Sequence, residues 1–272
     1  MDINAPIGVF DSGVGGLTVA REIMRQMPDE KIVYFGDTAR VPYGSKSRST
    51  IIRYSRQIIA FLNTQKVKAI VIACNTASAY ALSELEQETD LPILGVIKPG
   101  ARVAAKATKN KRVGVIGTTG TVESGVYTQC LQSLDPRIQV FGKACPLFVP
   151  LVEEGWLHDF VTEEIARRYM KDLEYKTIDT LILGCTHYPL IRSMIGKIMG
   201  SNVTLVNPAY ETAIELKRLL AAKNLACEPR GAGSAPEHEF YVSDAAEKFN
   251  EFANSILPYD IKTTKQINIE EY

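Results

Sequence analysis

Short apolar runs rich in β-branched residues alternate along this chain with longer stretches whose apolar residues recur at helical spacing, the pattern of βαβ units on a parallel sheet. In the first half the spacing predicts strands near 7–10, 32–35, 69–73 and 93–96. Candidate helices between them include 16–27, with Leu17, Ala20, Ile23, Met24 and Met27 on one face, and 48–64, with Ile51, Ile52, Ile58, Ile59 and Leu62. The second half repeats the order, with strands near 112–116, 138–141, 180–184 and 203–206 and helices near 121–133, 160–173 and 189–199.

The correspondence between the halves is positional. Gly8-Val9-Phe10-Asp11-Ser12-Gly13 resembles Gly114-Val115-Ile116-Gly117-Thr118-Thr119, and Phe35-Gly36 resembles Phe141-Gly142, both at an offset of 106 residues. Val71-Ile72-Ala73-Cys74-Asn75-Thr76 resembles Leu181-Ile182-Leu183-Gly184-Cys185-Thr186 at an offset of 111 when aligned on cysteine, and Pro99 and Pro208 differ by 109. Duplicated domains follow, and 272 residues at about 150 per domain also predict roughly two. The expected fold is α/β: two pseudo-symmetric domains, each a mostly parallel sheet flanked by helices, with the active site in the cleft between them. Ligands of open parallel sheets sit beyond the carboxyl ends of the strands, where every motif just quoted lies. Past residue 208 the spacing predicts a helix at 210–222, a breaker-rich loop from Glu228 to Pro236, a strand-like run His238–Val242, a last helix, and a polar, frayed tail over 258–272.

Lys plus Arg number 31 and Asp plus Glu 31, so the large positive field of a dedicated nucleic-acid or anionic-membrane binder is missing. Neither a basic and apolar leader nor an apolar run near the roughly 20 residues of a membrane span is present, which places the expected site of action in the cytoplasm. The five cysteines (Cys74, Cys130, Cys145, Cys185 and Cys227) are odd in number and contain no Cys-x-x-Cys pair, so free thiols are expected.

Singly, each of these cysteines reads as a small buried apolar residue. Cys74 and Cys185 differ because they are a matched pair, each directly after an apolar strand and before a helix, where free N–H groups favour a thiolate and can hold a carboxylate. Asp11-Ser12-Gly13-Val14-Gly15-Gly16 lacks the ending of a Walker sequence, and Thr18 occupies the third glycine position of a dinucleotide fingerprint. Its content is instead a carboxylate and a hydroxyl on the same sheet edge as Cys74, with a helix N-cap as the plainer role of Asp11. His187, two residues past Cys185, can relay a proton beside a thiol. No second Cys/His pair completes a zinc set, so no metal is expected. Glu153-Glu154-Gly155 reads by default as a solvated turn, and Pro42-Tyr43-Gly44 as a turn with an exposed aromatic able to close over a ligand.

These segments, together with Ala73-Cys74-Asn75-Thr76-Ala77-Ser78, Gly117-Thr118-Thr119-Gly120-Thr121 and Gly184-Cys185-Thr186-His187-Tyr188-Pro189-Leu190, make the chain resemble the glutamate racemases of the aspartate/glutamate racemase superfamily over essentially its full length. The resemblance implies catalytic thiols at Cys74 and Cys185, with Asp11 near the first and Glu153 and His187 near the second. It implies substrate contacts at Asp11, Ser12, Pro42, Tyr43, Gly44, Cys74, Asn75, Thr76, Thr118, Thr121, Cys185, Thr186 and His187. It also implies a first domain of residues 1–98 and 208–272, a second of 99–207, no cofactor, glutamate as the small-molecule substrate, a homodimer, and D-glutamate supply to peptidoglycan. With the first strand starting at residue 7, no activator-binding extension is expected.

Inverting a stereocentre needs a proton removed on one face and returned on the other, which two opposed cysteines, one thiolate and one thiol, can do. An acid–base group contributes on the order of 100-fold to 10,000-fold, so a closed cleft of oriented donors must supply much of the rest. An aspartate or related acidic amino-acid racemase and a non-catalytic amino-acid binding protein are the competing expectations.

Overall fold

The structure is a computed structural model and describes residues 2–229, 236–261 and 263–272. Ten strands order into two wholly parallel sheets among these residues. The first contains β1 (Ile7–Asp11), β2 (Ile32–Gly36), β3 (Ala69–Ile72) and β4 (Ile93–Gly95). The second contains β5 (Arg112–Gly117), β6 (Gln139–Ala144), β7 (Thr180–Gly184) and β8 (Thr204–Val206). Two further strands, β9 (Glu239–Val242) and β10 (Thr264–Gln266), extend the first sheet beyond β2, giving the order β10-β9-β2-β1-β3-β4. The second sheet runs β6-β5-β7-β8, the same crossing pattern as β2-β1-β3-β4, so the duplication read from the sequence is a duplication of topology.

Runs such as Ile7-Gly8-Val9-Phe10 are buried on both faces because helices cover each side, which is why they read as continuous apolar segments. On one face of the first sheet, Ile7, Val9 and Tyr34 pack against α1 (Leu17–Gln26), α11 (Pro208–Ala222) and α12 (Ala246–Ile256). On the other, Phe10, Phe35 and Ile72 meet α2 (Arg48–Thr64), α3 (Asn75–Tyr80) and α4 (Leu82–Glu88). The second sheet lies between α5 (Ile97–Ala107) and α7 (Val126–Leu134) on one side, and α8 (Phe148–Glu153), α9 (Phe160–Glu174) and α10 (Arg192–Met199) on the other.

Four expectations need correction. The helix predicted over 121–133 is two: α6 (Thr119–Glu123) stops where Gly125 turns left-handed at φ +68°, and α7 starts anew. The helix expected from 189 begins as a 3-10 turn at Tyr188–Ile191, with Pro189 in its first turn, and becomes α-helical only at Arg192. The strand expected at 138–141 starts at Gln139 and continues to Ala144. The tail is not frayed: Thr264–Gln266 pairs with the open edge of β9, and Ile269 is buried in the cluster around α2. Of the predicted loop Glu228–Pro236, residues 230–235 lie outside the described residues.

Lys68, just before β3, is fully buried; its ammonium pairs with Glu30 Oε2 at 2.6 Å and donates to the Ile3 carbonyl at 2.5 Å. Both residues precede strands, so the pair lies at the amino ends of the sheet, away from the edge carrying the cysteines. Breaking it strands a desolvated cation. Glu30→Ala is therefore expected to destabilise the fold by about 3–5 kcal/mol in urea unfolding; a change under about 1 kcal/mol would mean that the lysine finds water or another acceptor.

Candidate active site

The carboxyl ends of β1, β3, β5 and β7 face one cavity of about 310 Å³, lined from the first half by Ser12, Pro42, Tyr43, Gly44, Cys74, Asn75 and Thr76 and from the second by Thr118, Glu153, Cys185, Thr186 and His187. Gly13, Val41, Ser45, Thr119, Pro146, Val149 and Pro150 complete the wall. Of the residues expected at the site, Asp11 and Thr121 are the two that do not line it. Both are buried directly behind it.

Cys74 stands in the N-cap position of α3, where its sulfur accepts the Ala77 N–H at 3.4 Å, and its thiol donates to Ser12 Oγ at 3.8 Å. Asp11 ends β1 with its whole side chain buried. Its Oδ2 accepts the N–H groups of Gly13 and Gly16, holding the glycine loop down, while Oδ1 has no hydrogen-bond partner among the described residues. Burial raises the Asp11 pKa against the opposing pull of His187 and those N–H groups. Burial, then the Asp11 charge, pushes the Cys74 thiol up to about 12, so Cys74 carries its proton at neutral pH.

Cys185 has a different surrounding. Its sulfur lies 3.8 Å from His187 Nδ1, and His187 Nε2 is 2.9 Å from Glu153 Oε1. Glu153 therefore ends α8 as the partner of a buried imidazole and is not a solvated turn. Burial alone would lower the His187 pKa, but the hydrogen bonds to Cys185 and Glu153 overcome it and raise it to about 10. The imidazolium of His187 is thus a ready counter-ion for a thiolate at Cys185. Gly15 packs so closely that a Cβ there would stand 2.4 Å from Thr186 Oγ1 and 2.5 Å from His187 Nδ1.

Tyr43 corrects the expectation of an exposed aromatic: it is 1% exposed, with its hydroxyl on the buried carboxylate of Asp37. Asp37 also accepts from Arg40 Nε at 2.7 Å and Ser243 Oγ at 2.9 Å, fixing the Val41–Gly44 turn. Asp37 was missed by sequence reasoning, although it directly follows β2 on the site edge. Across the two halves, Thr76 Oγ1 meets Thr118 Oγ1 at 2.8 Å and Thr121 Oγ1 at 3.2 Å, and a Cβ on Gly44 would lie 2.5 Å from Thr118 Cβ.

Among the described residues no lysine lines the cavity to offer an amine for a Schiff base, and no three His, Cys, Asp or Glu side chains gather as a metal site. Two sulfurs thus line the cavity from facing sheets, one with a carboxylate behind it and the other beside a histidine–glutamate pair. A sequence profile described as Asp/Glu/Hydantoin racemase matches residues 7–214. Over 264 residues the chain is 47% identical to the glutamate racemase of Geobacter metallireducens, with 97% of each chain covered. A glutamate racemase isoform from Bacillus anthracis has the same fold at TM-score 0.93 and 41% identity, with 97% of each chain covered. The glutamate racemase from Francisella tularensis, solved in complex with D-glutamate, gives 0.92 at 39% identity over 99% of this chain and 100% of that one. The chain belongs to the Asp/Glu/hydantoin racemase family.

Because the folded pKa of His187 lies above the ordinary 6.5, its protonation contributes stability that is full below about pH 6.5 and lost as pH rises through about 10. Imidazole nitrogen shifts of His187 should stay flat across neutral pH and move near pH 10. Glu153→Gln removes one of the raising partners and should shift that midpoint down; an unmoved midpoint would deny Glu153 this role.

Proposed function

We propose that this chain is a glutamate racemase working without a cofactor, with Cys74 and Cys185 as its two acid–base groups. The observation that carries the proposal is that both sulfurs line one small cavity from opposite sheets. Relatives at this level of identity carry the name glutamate racemase, and one was solved with D-glutamate bound, which supports glutamate over other acidic amino acids.

In the proposed reaction, thiolate Cys185, paired with the His187 imidazolium, takes the α-proton of glutamate. The electron pair passes into the α-carboxylate, and the thiol of Cys74 returns a proton to the opposite face. In the reverse direction the roles exchange. Asn75, Thr76, Thr118, Thr186 and the turn at Pro42–Gly44 supply neutral donors for the two carboxylates, with Ser12 beside Cys74. Burial together with Asp11 keeps Cys74 protonated, and Thr121 steadies Thr76 and Thr118 from behind.

The domain division proposed is residues 1–98 with 208–272, against 99–207. It is supported by β9 and β10 extending the first sheet and by α5 packing with β5 and β7. The proposed setting is a cytoplasmic homodimer that supplies D-glutamate to peptidoglycan. Among the described residues no helix is long and apolar enough to cross a membrane.

Racemisation of L-glutamate in deuterated water tests the reaction. The D product should carry deuterium from the earliest times while remaining L substrate carries little, and Cys74→Ala and Cys185→Ala should each slow turnover by about 100-fold or more. Early and equal labelling of both enantiomers would point to one base serving both faces and sink the two-thiol scheme. Faster turnover of L-aspartate than of L-glutamate would reassign the substrate, and binding without exchange would remove the activity.

A further inference from the structure

Asn75 directly follows Cys74 and lines the cavity. The two ends of its carboxamide have opposite character: Oδ1 accepts hydrogen bonds and Nδ2 donates them. Whichever end faces a ligand decides whether the position attracts or repels a carboxylate. Tyr127, from α7 in the other half of the molecule, donates its hydroxyl to Asn75 Oδ1 at 2.8 Å, and both side chains are buried. The phenol ring lies against the residue before Cys185: a Cβ on Gly184 would stand 3.2 Å from Tyr127 Cε2. Val113, Leu131 and Ile182 pack in the same cluster, leaving the ring no freedom to turn away. Burial, with the nearby Cys130 and Cys185, raises the Tyr127 pKa far above the ordinary phenol value, so its hydroxyl proton stays available.

We propose that Tyr127 is a positioning residue: by occupying Asn75 Oδ1 from the opposite half, it turns the Asn75 amide N–H groups toward the cavity and makes this position a donor to a substrate carboxylate. The proposal deepens the glutamate assignment and rests on it. A second hydroxyl crosses in the other direction, from Thr18 to the main-chain carbonyl of Thr186 at 3.1 Å, next to Cys185. That contact fixes backbone; the Tyr127 contact fixes the polarity of a side chain, so its loss should be felt in binding.

Tyr127→Phe keeps the ring and removes the donor. It is expected to raise KM for both enantiomers about tenfold while kcat changes by less than about twofold. In the Asn75→Ala background the same substitution should add nothing, because Tyr127 acts through Asn75. A KM effect of equal size in both backgrounds, or none in the wild type, would overturn the proposal. A wild-type measurement avoids dependence on the variant's folding. In asparagine-labelled protein, the side-chain amide pair assigned to residue 75 by its loss in Asn75→Ala should shift on saturation with D-glutamate; an unmoved pair also overturns it. If the wild type racemises no glutamate, the substrate assignment falls and takes this proposal with it, whereas an active wild type with additive variants sinks the role of Tyr127 alone.

Discussion

Two acid–base groups can serve opposite faces of one carbon only if the protein holds them apart and facing, and parallel sheets meet that constraint through their strand ends. Every strand of a parallel sheet delivers its chain at the same edge. Two sheets of the same order, with β3 and β7 next to the first strand of each half, therefore present Cys74 and Cys185 as equivalent points on opposing edges. The helices that follow are consequences: each chain must turn away from the cavity at once, which leaves backbone N–H groups and short polar side chains such as Asn75, Thr76 and Thr186 around it.

Equivalent backbones do not make equivalent thiols. Both sulfurs are almost fully buried, so the difference between their surroundings comes from neighbouring charge. Burial, and then the Asp11 carboxylate beneath it, lifts the Cys74 pKa from 9.0 to about 12, a cost on the order of 4 kcal/mol for ionising it in place. Cys185 has the His187 ring beside it, held by Glu153. A symmetric topology thus carries asymmetric neighbours, with a buried carboxylate beside one sulfur and a histidine–glutamate pair beside the other. That is the starting condition the proposed reaction needs.

The duplication was legible in the sequence because it rests on patterns that a one-dimensional string preserves: continuous apolar strands, the residues that end them, and a nearly constant offset. The cysteine pair was legible for the same reason. The local pattern alone misread Glu153 as a solvated turn and Tyr43 as exposed, and only the family resemblance put them at the site, since their state depends on partners elsewhere in the chain, His187 for one and Asp37 for the other. The broken helix at Gly125 lay in one backbone angle, and the ordered tail in an edge offered by β9; neither leaves a mark on local periodicity. Tyr127 was the least visible, because on its own helix it is one more apolar position facing a core.

What joins the halves explains why neither could hold this site alone. Glycine allows the closest approaches, with Gly15 against Thr186 and His187 and Gly44 against Thr118. Around the cavity, hydroxyls make the crossing bonds: Thr18 to the Thr186 carbonyl, Tyr127 to Asn75, and Thr76 to Thr118 and Thr121. Neutral hydroxyls suit this seam because they satisfy buried polar groups without adding a charge that would perturb either thiol. Hydrogen bonds of this kind also tie the residue after each cysteine to the opposite half. Any relative movement of the two halves must therefore move a cavity-lining residue next to a sulfur, so the geometry of the thiols and the fit of the domains form a single mechanical variable.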